Sequence, residues 1–221
     1  MMKKAILFVD ANNWYHNIKT MFNPSDIDIC LVKELISKKF NLDINEIRWY
    51  VSMPNMADGE LMYKRHRNFL GGLEKKGVKV ITRKLQRLSN KEILKKKKGI
   101  LDNLDLCKTC RPLIESVFLD LADIKKKEKG IDVWIAIDII KKALITNECE
   151  VCVLISGDAD FTPALELVRY SNKEVLTAMT PIGYSSELRS KFPYFILKKE
   201  TLINCLKDYN PKSSKKEGKS K

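Results

Sequence analysis

Strand-like apolar runs alternate with amphipathic stretches of helical periodicity along most of this chain. The strand candidates are Ala5–Val9, Ile47–Ser52, Val78–Thr82, Val151–Ile155 and Val175–Ala178, with a shorter one at Tyr194–Leu197. The helix candidates are Asn13–Met21, Leu31–Lys39, Gly59–Lys76, Asp132–Thr146, Phe161–Ser171 and Lys199–Asp208. Strands that alternate with helices form a mainly parallel sheet covered on its faces by those helices. The pattern therefore predicts an α/β fold.

The alternation is lost between Thr82 and Gly130, where the chain becomes rich in lysine. Residues 83–98 hold eight basic side chains and one acidic one. We interpret residues 83–128 as a basic insertion within a single domain that spans residues 1–208. From Pro211 onward the chain has five lysines and no apolar side chain, so residues 209–221 are predicted to form a disordered tail.

Carboxylates follow two of the predicted core strands. Asp10 ends the first strand, and Asp158 and Asp160 come directly after the fourth. Because the carboxyl ends of parallel strands meet at one edge of a sheet, we expect these acids to share a pocket. Asp132, which opens the longest predicted helix after the insertion, offers a further acid, and Asp138 lies within the same helix.

A shared pocket of carboxylates favours a hard metal ion. Neighbouring carboxylates repel one another, and a divalent cation removes that repulsion. Mg²⁺ and Mn²⁺ prefer such oxygen ligands. An ion held in this way polarises a phosphoryl oxygen and supplies hydroxide for attack, which indicates phosphate chemistry.

Each acid also has a purely structural interpretation. Asp132 and Asp160 stand where a helix N-cap belongs, and such a cap stabilises a helix by about 1 kcal/mol. Asp158 beside Gly157 fits a simple turn, and Asn12 and Asn13 could cap the helix that follows them. The joint placement at strand ends favours the metal interpretation over these separate ones.

Two other chemistries share parts of the pattern. The run from Asp158 to Thr162 fits Asp-x-Asp-x-Thr, in which haloacid-dehalogenase-type phosphatases form a phospho-enzyme on the first aspartate. Those enzymes carry the motif near the start of the fold, so this alternative ranks well behind. Cys107 and Cys110 have the spacing of half a zinc site. Cys149 and Cys152 have the same spacing, but residues three apart on a strand point to opposite faces, so we expect them not to chelate one ion.

The formal net charge of +13 indicates a polyanionic partner, with nucleic acid ahead of a membrane surface. A generally lysine-rich composition is the alternative explanation. The residues predicted to contact a nucleic-acid backbone are Lys64, Arg65, Arg67, Arg83, Lys84 and Arg87. No apolar run approaches the roughly 20 residues that span a bilayer, so we expect a cytoplasmic protein with reduced cysteines and no membrane partner.

Three blocks of the sequence resemble the signature blocks of NYN domains, which belong to the PIN-like nuclease superfamily. The blocks run from Phe8 to Asn13, from Lys129 to Asp138 and from Ile155 to Pro163, and they occur in the family's order. The resemblance covers about residues 3 to 180 and is greatest to the LabA/DUF88-like group. It implies a three-layer PIN-like fold with helices on both faces and the strand order 3-2-1-4-5.

The resemblance also implies a metal-dependent ribonuclease site with Mg²⁺ or Mn²⁺ as cofactor. The family's catalytic positions fall on Asp10, Asn13, Asp132, Asp158 and Asp160, with the four acids holding the metal. From its place within the helix, Asp138 is interpreted either as a supporting residue or as one that orients an asparagine, and supporting roles are also predicted for Asn12 and Ser156. The expected activity is hydrolysis of RNA by an endonuclease. The alternative is a catalytically silent RNA-binding or regulatory adaptor, and a homo-oligomer is left open.

Overall fold

The computed structural model describes residues 2–54, 56, 59–84, 86–88, 91–120, 125–127 and 130–207. Its strands are β1 (Lys3–Asp10), β2 (Leu42–Met53), β3 (Lys79–Lys84), β4 (Gln86–Leu88), β5 (Lys125–Lys127), β6 (Val151–Ile155), β7 (Glu174–Met179) and β8 (Tyr194–Ile196). Its helices are α1 (Ala11–Ile18), α2 (Ile29–Phe40), α3 (Glu60–Lys75), α4 (Lys91–Asp102), α5 (Cys110–Asp120), α6 (Ile131–Ile140), α7 (Thr162–Tyr170), α8 (Ser186–Lys191) and α9 (Lys199–Leu202).

Six of these strands form one sheet in the order β3-β2-β1-β6-β7-β8. Counted along this sheet alone, the order is 3-2-1-4-5-6, so the predicted order 3-2-1-4-5 is confirmed and β8 adds an edge strand. β1 pairs in parallel with β2 on one side and with β6 on the other. Val9 lies opposite Ile155 and Asp10 lies opposite Tyr50, which brings the carboxyl ends of three strands together.

Two apolar clusters hold the helices against the two faces of the sheet. Because successive strand residues point to opposite faces, β1 contributes Leu7 and Val9 to one cluster and Ile6 and Phe8 to the other. The first cluster includes apolar residues of α1 and α2, and the second includes those of α6 and α7. This arrangement confirms the α/β fold with helices on both faces.

Local signals explain where several helices begin and end. Asp28 caps α2 by accepting a hydrogen bond from the Cys30 N–H at 3.0 Å, and Asn41 ends the helix with a φ of +53°. Pro163 occupies the first turn of α7, where no intrahelical N–H donor is needed. The predicted helix Asp132–Thr146 consists of α6 and a π-helical turn at Lys141–Ile145.

The chain divides into two compact units. One comprises the chain before residue 84 together with the chain after residue 129, and it contains the six-stranded sheet. The other comprises residues 84–129, where β4 and β5 pair antiparallel and the Lys97 ammonium lies 4.8 Å from the centroid of the Phe118 ring. That residues 1–208 act as one domain stays a prediction, and the predicted tail at 209–221 lies outside the described residues.

No helix in the described part of the chain combines the length and the apolar character needed to cross a membrane.

Candidate functional site

Asp10 is the buried centre of the candidate site. It ends β1, and α1 begins at the next residue, so the carboxylate lies at the amino end of that helix. Its Oδ1 accepts hydrogen bonds from the N–H groups of Asn12 and Asn13, both at 3.1 Å, and its Oδ2 accepts one from the Ser156 hydroxyl at 3.1 Å. The residue is only 4% exposed, and these three hydrogen bonds fix the position of its side chain. Hydrogen bonds from a helix end and a hydroxyl stabilise a buried carboxylate.

Asn13 joins the two strand-to-helix connections at this edge of the sheet. Its side-chain Oδ1 accepts a hydrogen bond from the Gly157 N–H at 3.0 Å and another from the Asn17 amide at 2.9 Å. Asn12 acts through its backbone, and its side chain is exposed. The predicted residues Asp10, Asn12, Asn13 and Ser156 therefore form one connected hydrogen-bond network.

The loop after β6 places the remaining acidic pair. The Asp158 N–H donates to the Ser156 hydroxyl at 3.2 Å, and the Asp158 carboxylate accepts from the Asp160 N–H at 3.0 Å. Asp158 thereby caps a 3₁₀ turn at Ala159–Phe161, so the turn interpretation of this residue describes its contacts correctly. Asp158 is half-buried and Asp160 is exposed. Asp160 lies inside the turn and is not its cap.

A second loop, residues 180–185, closes against the acidic loop. A Cβ added to Gly157 would lie 2.1 Å from the carbonyl oxygen of Gly183, so only glycine fits there. Gly183 has a φ of +75°, and a Cβ on it would lie 2.5 Å from Oδ1 of Asn17. The Ser185 N–H donates to the Gly157 carbonyl at 2.8 Å. Sequence reasoning missed Asn17 and Gly183, because neither lies in an acidic motif.

Asp132 and Asp138 have different surroundings although both belong to α6. Asp132 is exposed in the first turn, and α6 packs against β1 and the 3₁₀ turn that follows Asp158. Asp138 lies about 9 Å further along the helix axis. It accepts from Nε of Arg48 at 2.7 Å and from the Tyr50 hydroxyl, and it pairs with a second guanidinium nitrogen of Arg48 at 2.5 Å.

These contacts correct the expectation that Asp138 orients an asparagine, because its partners are an arginine and a tyrosine of β2. Arg48 is 5% exposed and also pairs with Glu46. Burial raises the pKa of Tyr50, and its hydrogen bond to Asp138 raises it further. Burial lowers the pKa of the Arg48 guanidinium, but its interactions with Tyr50, Glu46 and Asp138 have a larger effect and raise the pKa overall. Tyr50 is thus neutral and Arg48 charged at neutral pH.

The predicted basic residues lie on three elements, α3, β3 and β4. Lys64, Arg65 and Arg67 are exposed on α3, and Lys64 pairs with Glu60 one helical turn away at 2.6 Å. The Arg83 guanidinium lies over the Trp134 ring at 5.1 Å from its centroid. Lys84 and Arg87 belong to β3 and β4, and their side chains lie outside the described part of the structure.

The model of the NYN domain family matches residues 4–202, which is most of the chain. The chain belongs to the NYN domain family. This match confirms the resemblance drawn from the three sequence blocks, and the family is nuclease-like. The search of curated proteins found no match.

A solved structure shows the same fold. The NYN domain is similar to a crystal structure of a protein of unknown function from Vibrio parahaemolyticus, with a TM-score of 0.51 and 16% sequence identity. The similarity covers 89% of this chain and 93% of the other. At this identity the similarity supports the fold alone.

NYN and PIN-like nucleases generally use divalent metal ions, which carboxylate oxygens bind. Within the described residues, no group of three or more His, Cys, Asp or Glu side chains is close enough to hold a metal. Mg²⁺ requires no such cage, because it keeps several waters and binds through one or two carboxylates and substrate phosphates. The carboxylates at this edge of the sheet are donors of the right chemistry. In the chemistry of their donor atoms, these acids therefore fit such an ion.

The cysteine pairs differ from each other in exposure. The sulfurs of Cys149 and Cys152 are 3.7 Å apart and buried in the same apolar cluster, which corrects the expectation that they point to opposite faces. The reason is that β6 begins at Val151, so Cys149 precedes the strand. Cys107 and Cys110 are exposed, and the Cys110 N–H donates to the Cys107 sulfur at 3.2 Å.

Proposed function

We propose that this NYN domain is a metal-dependent ribonuclease that hydrolyses phosphodiester bonds within RNA. The observation that carries the proposal is the position of Asp10. Its carboxylate is held by the α1 backbone and by Ser156, at the edge where β1 and β6 end side by side. A carboxylate buried at a strand end and fixed by three hydrogen bonds is pre-organised for binding a cation.

The four acids would have related roles. Asp10, Asp132, Asp158 and Asp160 would hold Mg²⁺ or Mn²⁺, directly or through water. A bound divalent ion neutralises charge on the phosphoryl oxygens and supplies a hydroxide at neutral pH. Ser156 positions Asp10 by its hydrogen bond, and Asn13 positions the acidic loop through the Gly157 N–H.

The basic side chains would collect the substrate. Lys64, Arg65, Arg67 and Arg83 are exposed, and the whole chain has a formal net charge of +13. Contacts between such residues and phosphates release counterions from the nucleic acid, so the affinity should fall steeply as the salt concentration rises.

The second candidate is an RNA-binding adaptor that lacks turnover. It is favoured by one observation, namely that the described acids do not form a preassembled cluster for a metal. Asp132 and Asp160 are both exposed, so their side chains need further order before an ion is fully coordinated. A fold shared with nucleases does not by itself establish catalysis.

A cleavage assay separates the two candidates. Single-stranded RNA, structured RNA and DNA of the same sequence are incubated with the protein and Mn²⁺ or Mg²⁺, beside EDTA controls. We expect Asp158→Asn to reduce RNA cleavage at least about a hundredfold, which corresponds to about 3 kcal/mol in the barrier. Asp43→Asn is the matched control, because Asp43 is an exposed acid near the opposite end of β2.

The outcomes point to different conclusions. Cleavage that persists at the wild-type rate in Asp158→Asn would refute the catalytic assignment, and RNA binding without any cleavage would favour the adaptor. Metal binding has its own measurement, because an ion that binds only the folded protein raises its melting temperature. We expect Mn²⁺ to raise it in the wild type and less so in Asp10→Asn.

A further inference from the structure

Trp134 differs from the other two tryptophans of the chain. It is 45% exposed on α6, whereas Trp14 and Trp49 are each only 4% exposed. The Arg83 guanidinium lies over its ring at 5.1 Å from the centroid. A large indole that is left in water and partly covered by a cation is an unusual surface feature, because tryptophan mostly buries its ring.

The backbone at the start of α6 makes room for this pair. Gly130 has a φ of +80°, and a Cβ on it would lie 2.6 Å from a terminal nitrogen of Arg83. The guanidinium therefore occupies the space that the missing side chain of Gly130 leaves open. Trp134 follows Asp132 by two residues in the first turns of the same helix. Two residues correspond to about 200° of rotation around the helix axis, so the pair lies on the flank of α6 opposite to Asp132, at the same end of the helix.

We propose that Trp134 and Arg83 form a base-stacking subsite for single-stranded RNA on the helix that also carries Asp132. The indole stacks on a nucleobase, and the guanidinium contacts the adjoining phosphate. This inference rests on the proposed function for its class of ligand. An exposed aromatic ring beside a cation is the combination with which proteins bind unpaired nucleotides, since every base has a face that can stack.

A protein partner is the competing occupant of this surface. Val133 and Ile137 are also exposed on α6, so the helix presents apolar side chains beside Trp134. The nucleobase is favoured because Arg83 adds a positive charge at the ring, in a chain whose net charge is strongly positive. A nucleotide engages both groups at once, because its base stacks on the indole while its phosphate pairs with the guanidinium.

Fluorescence tests the subsite directly, because Trp134 is the exposed indole and the other two are buried. The full chain in EDTA is titrated with an unstructured ten-nucleotide RNA and with an abasic oligomer of equal length and charge. We expect the RNA to quench the tryptophan emission and the abasic oligomer to leave it nearly unchanged. Trp134→Phe should remove the quenching while keeping most of the RNA affinity, because phenylalanine also stacks.

Affinity measured with a labelled RNA provides the second readout. Trp134→Ala should weaken RNA binding about tenfold and leave binding of the abasic oligomer unchanged. Arg83→Gln should weaken both and lower the salt dependence. Ile137→Ala is the matched control on the same helix and should change neither. Melting curves confirm that each variant is folded.

Three results would overturn the subsite. These are equal quenching by the abasic oligomer, unchanged RNA affinity in Trp134→Ala, and self-association of the wild type that Trp134→Ala abolishes. The last result would make this face an interface between copies of the chain. Binding is measured in EDTA and cleavage in the presence of Mn²⁺ or Mg²⁺, so the two proposals can fail separately. RNA that stacks on Trp134 but is not cleaved when metal is added would refute the ribonuclease and still support the subsite.

Discussion

Replacement of Asp138 by alanine tests whether this acid acts in folding or in chemistry. Its carboxylate accepts hydrogen bonds from Arg48 and Tyr50, and Arg48 is almost fully buried. The substitution leaves the guanidinium with Glu46 as its remaining acidic partner, and Glu46 is more exposed than Asp138. We therefore expect Asp138→Ala to destabilise the fold much more than the loss of a surface ion pair would.

The magnitude follows from the burial of the pair. Removal of one partner of a buried ion pair costs about 3–5 kcal/mol, whereas an exposed pair contributes at most about 1 kcal/mol. The lower end, about 3 kcal/mol, applies because Glu46 still neutralises part of the charge on Arg48. For a chain of this length each kcal/mol lowers the melting temperature by about 2–4 °C, so a decrease of about 6–12 °C is expected.

Thermal and urea unfolding of Asp138→Ala measure this effect, with Asp132→Asn as the matched control on the same helix. Asp132 is exposed, so its substitution should change the free energy of unfolding by less than about 1 kcal/mol. The triple substitution Arg48→Met, Tyr50→Phe and Asp138→Leu should recover much of the loss, because it leaves neither a buried charge nor the buried Tyr50 hydroxyl without a partner. A loss below about 1 kcal/mol in Asp138→Ala would refute the reasoning. So would a folded variant that had lost cleavage, since Asp138 would then act in the chemistry.

Three further predictions concern other parts of the molecule. Gly157→Ala should lower the free energy of unfolding by about 1–3 kcal/mol and reduce cleavage, because the added Cβ meets the backbone of the loop at 180–185. A decrease of less than about 0.5 kcal/mol in urea unfolding would contradict this prediction. Burial lowers the pKa of His66, so the unfolded chain binds the proton more readily and stability should fall as the pH drops below about 6.5. His66→Phe should flatten that dependence in melts between pH 5 and 8, and an unchanged slope would exclude His66 as its source. The pKa of Cys107 is lowered by hydrogen bonds from Cys110 and from the Thr109 backbone, whereas burial raises the pKa of Cys205 to about 11. Because the thiolate is the reactive form, peptide mapping after brief alkylation at about pH 7.5 should find Cys107 modified before Cys205.

The sheet and the position of its acids could be predicted because they depend on local patterns. The continuous apolar runs of β1 and β6 identify them as core strands, and the right-handed connection of parallel strands restricts their order. Once β1 and β6 are neighbours, Asp10 and Asp158 must lie at the same edge. The family resemblance added the order of the remaining strands.

The partners of individual polar side chains could not be predicted in this way. Asp138 contacts Arg48 across 90 residues of sequence, and its position on α6 alone does not show which strand residue it faces. Cys149 faces Cys152 because β6 starts two residues after Cys149, a boundary that periodicity does not resolve.

By itself, the sequence determined the strands of the main sheet, most of the helices that cover it, and which edge of the sheet carries the acids. Those features follow from the spacing of apolar residues along the chain, because that spacing shows which face of each strand or helix is buried. Only the tertiary structure decided that Gly183 contacts Asn17, that Arg48 neutralises Asp138 and that Trp134 is the exposed indole. These contacts depend on how distant elements pack and on the register of their residues, and hydrophobic periodicity contains no information on either.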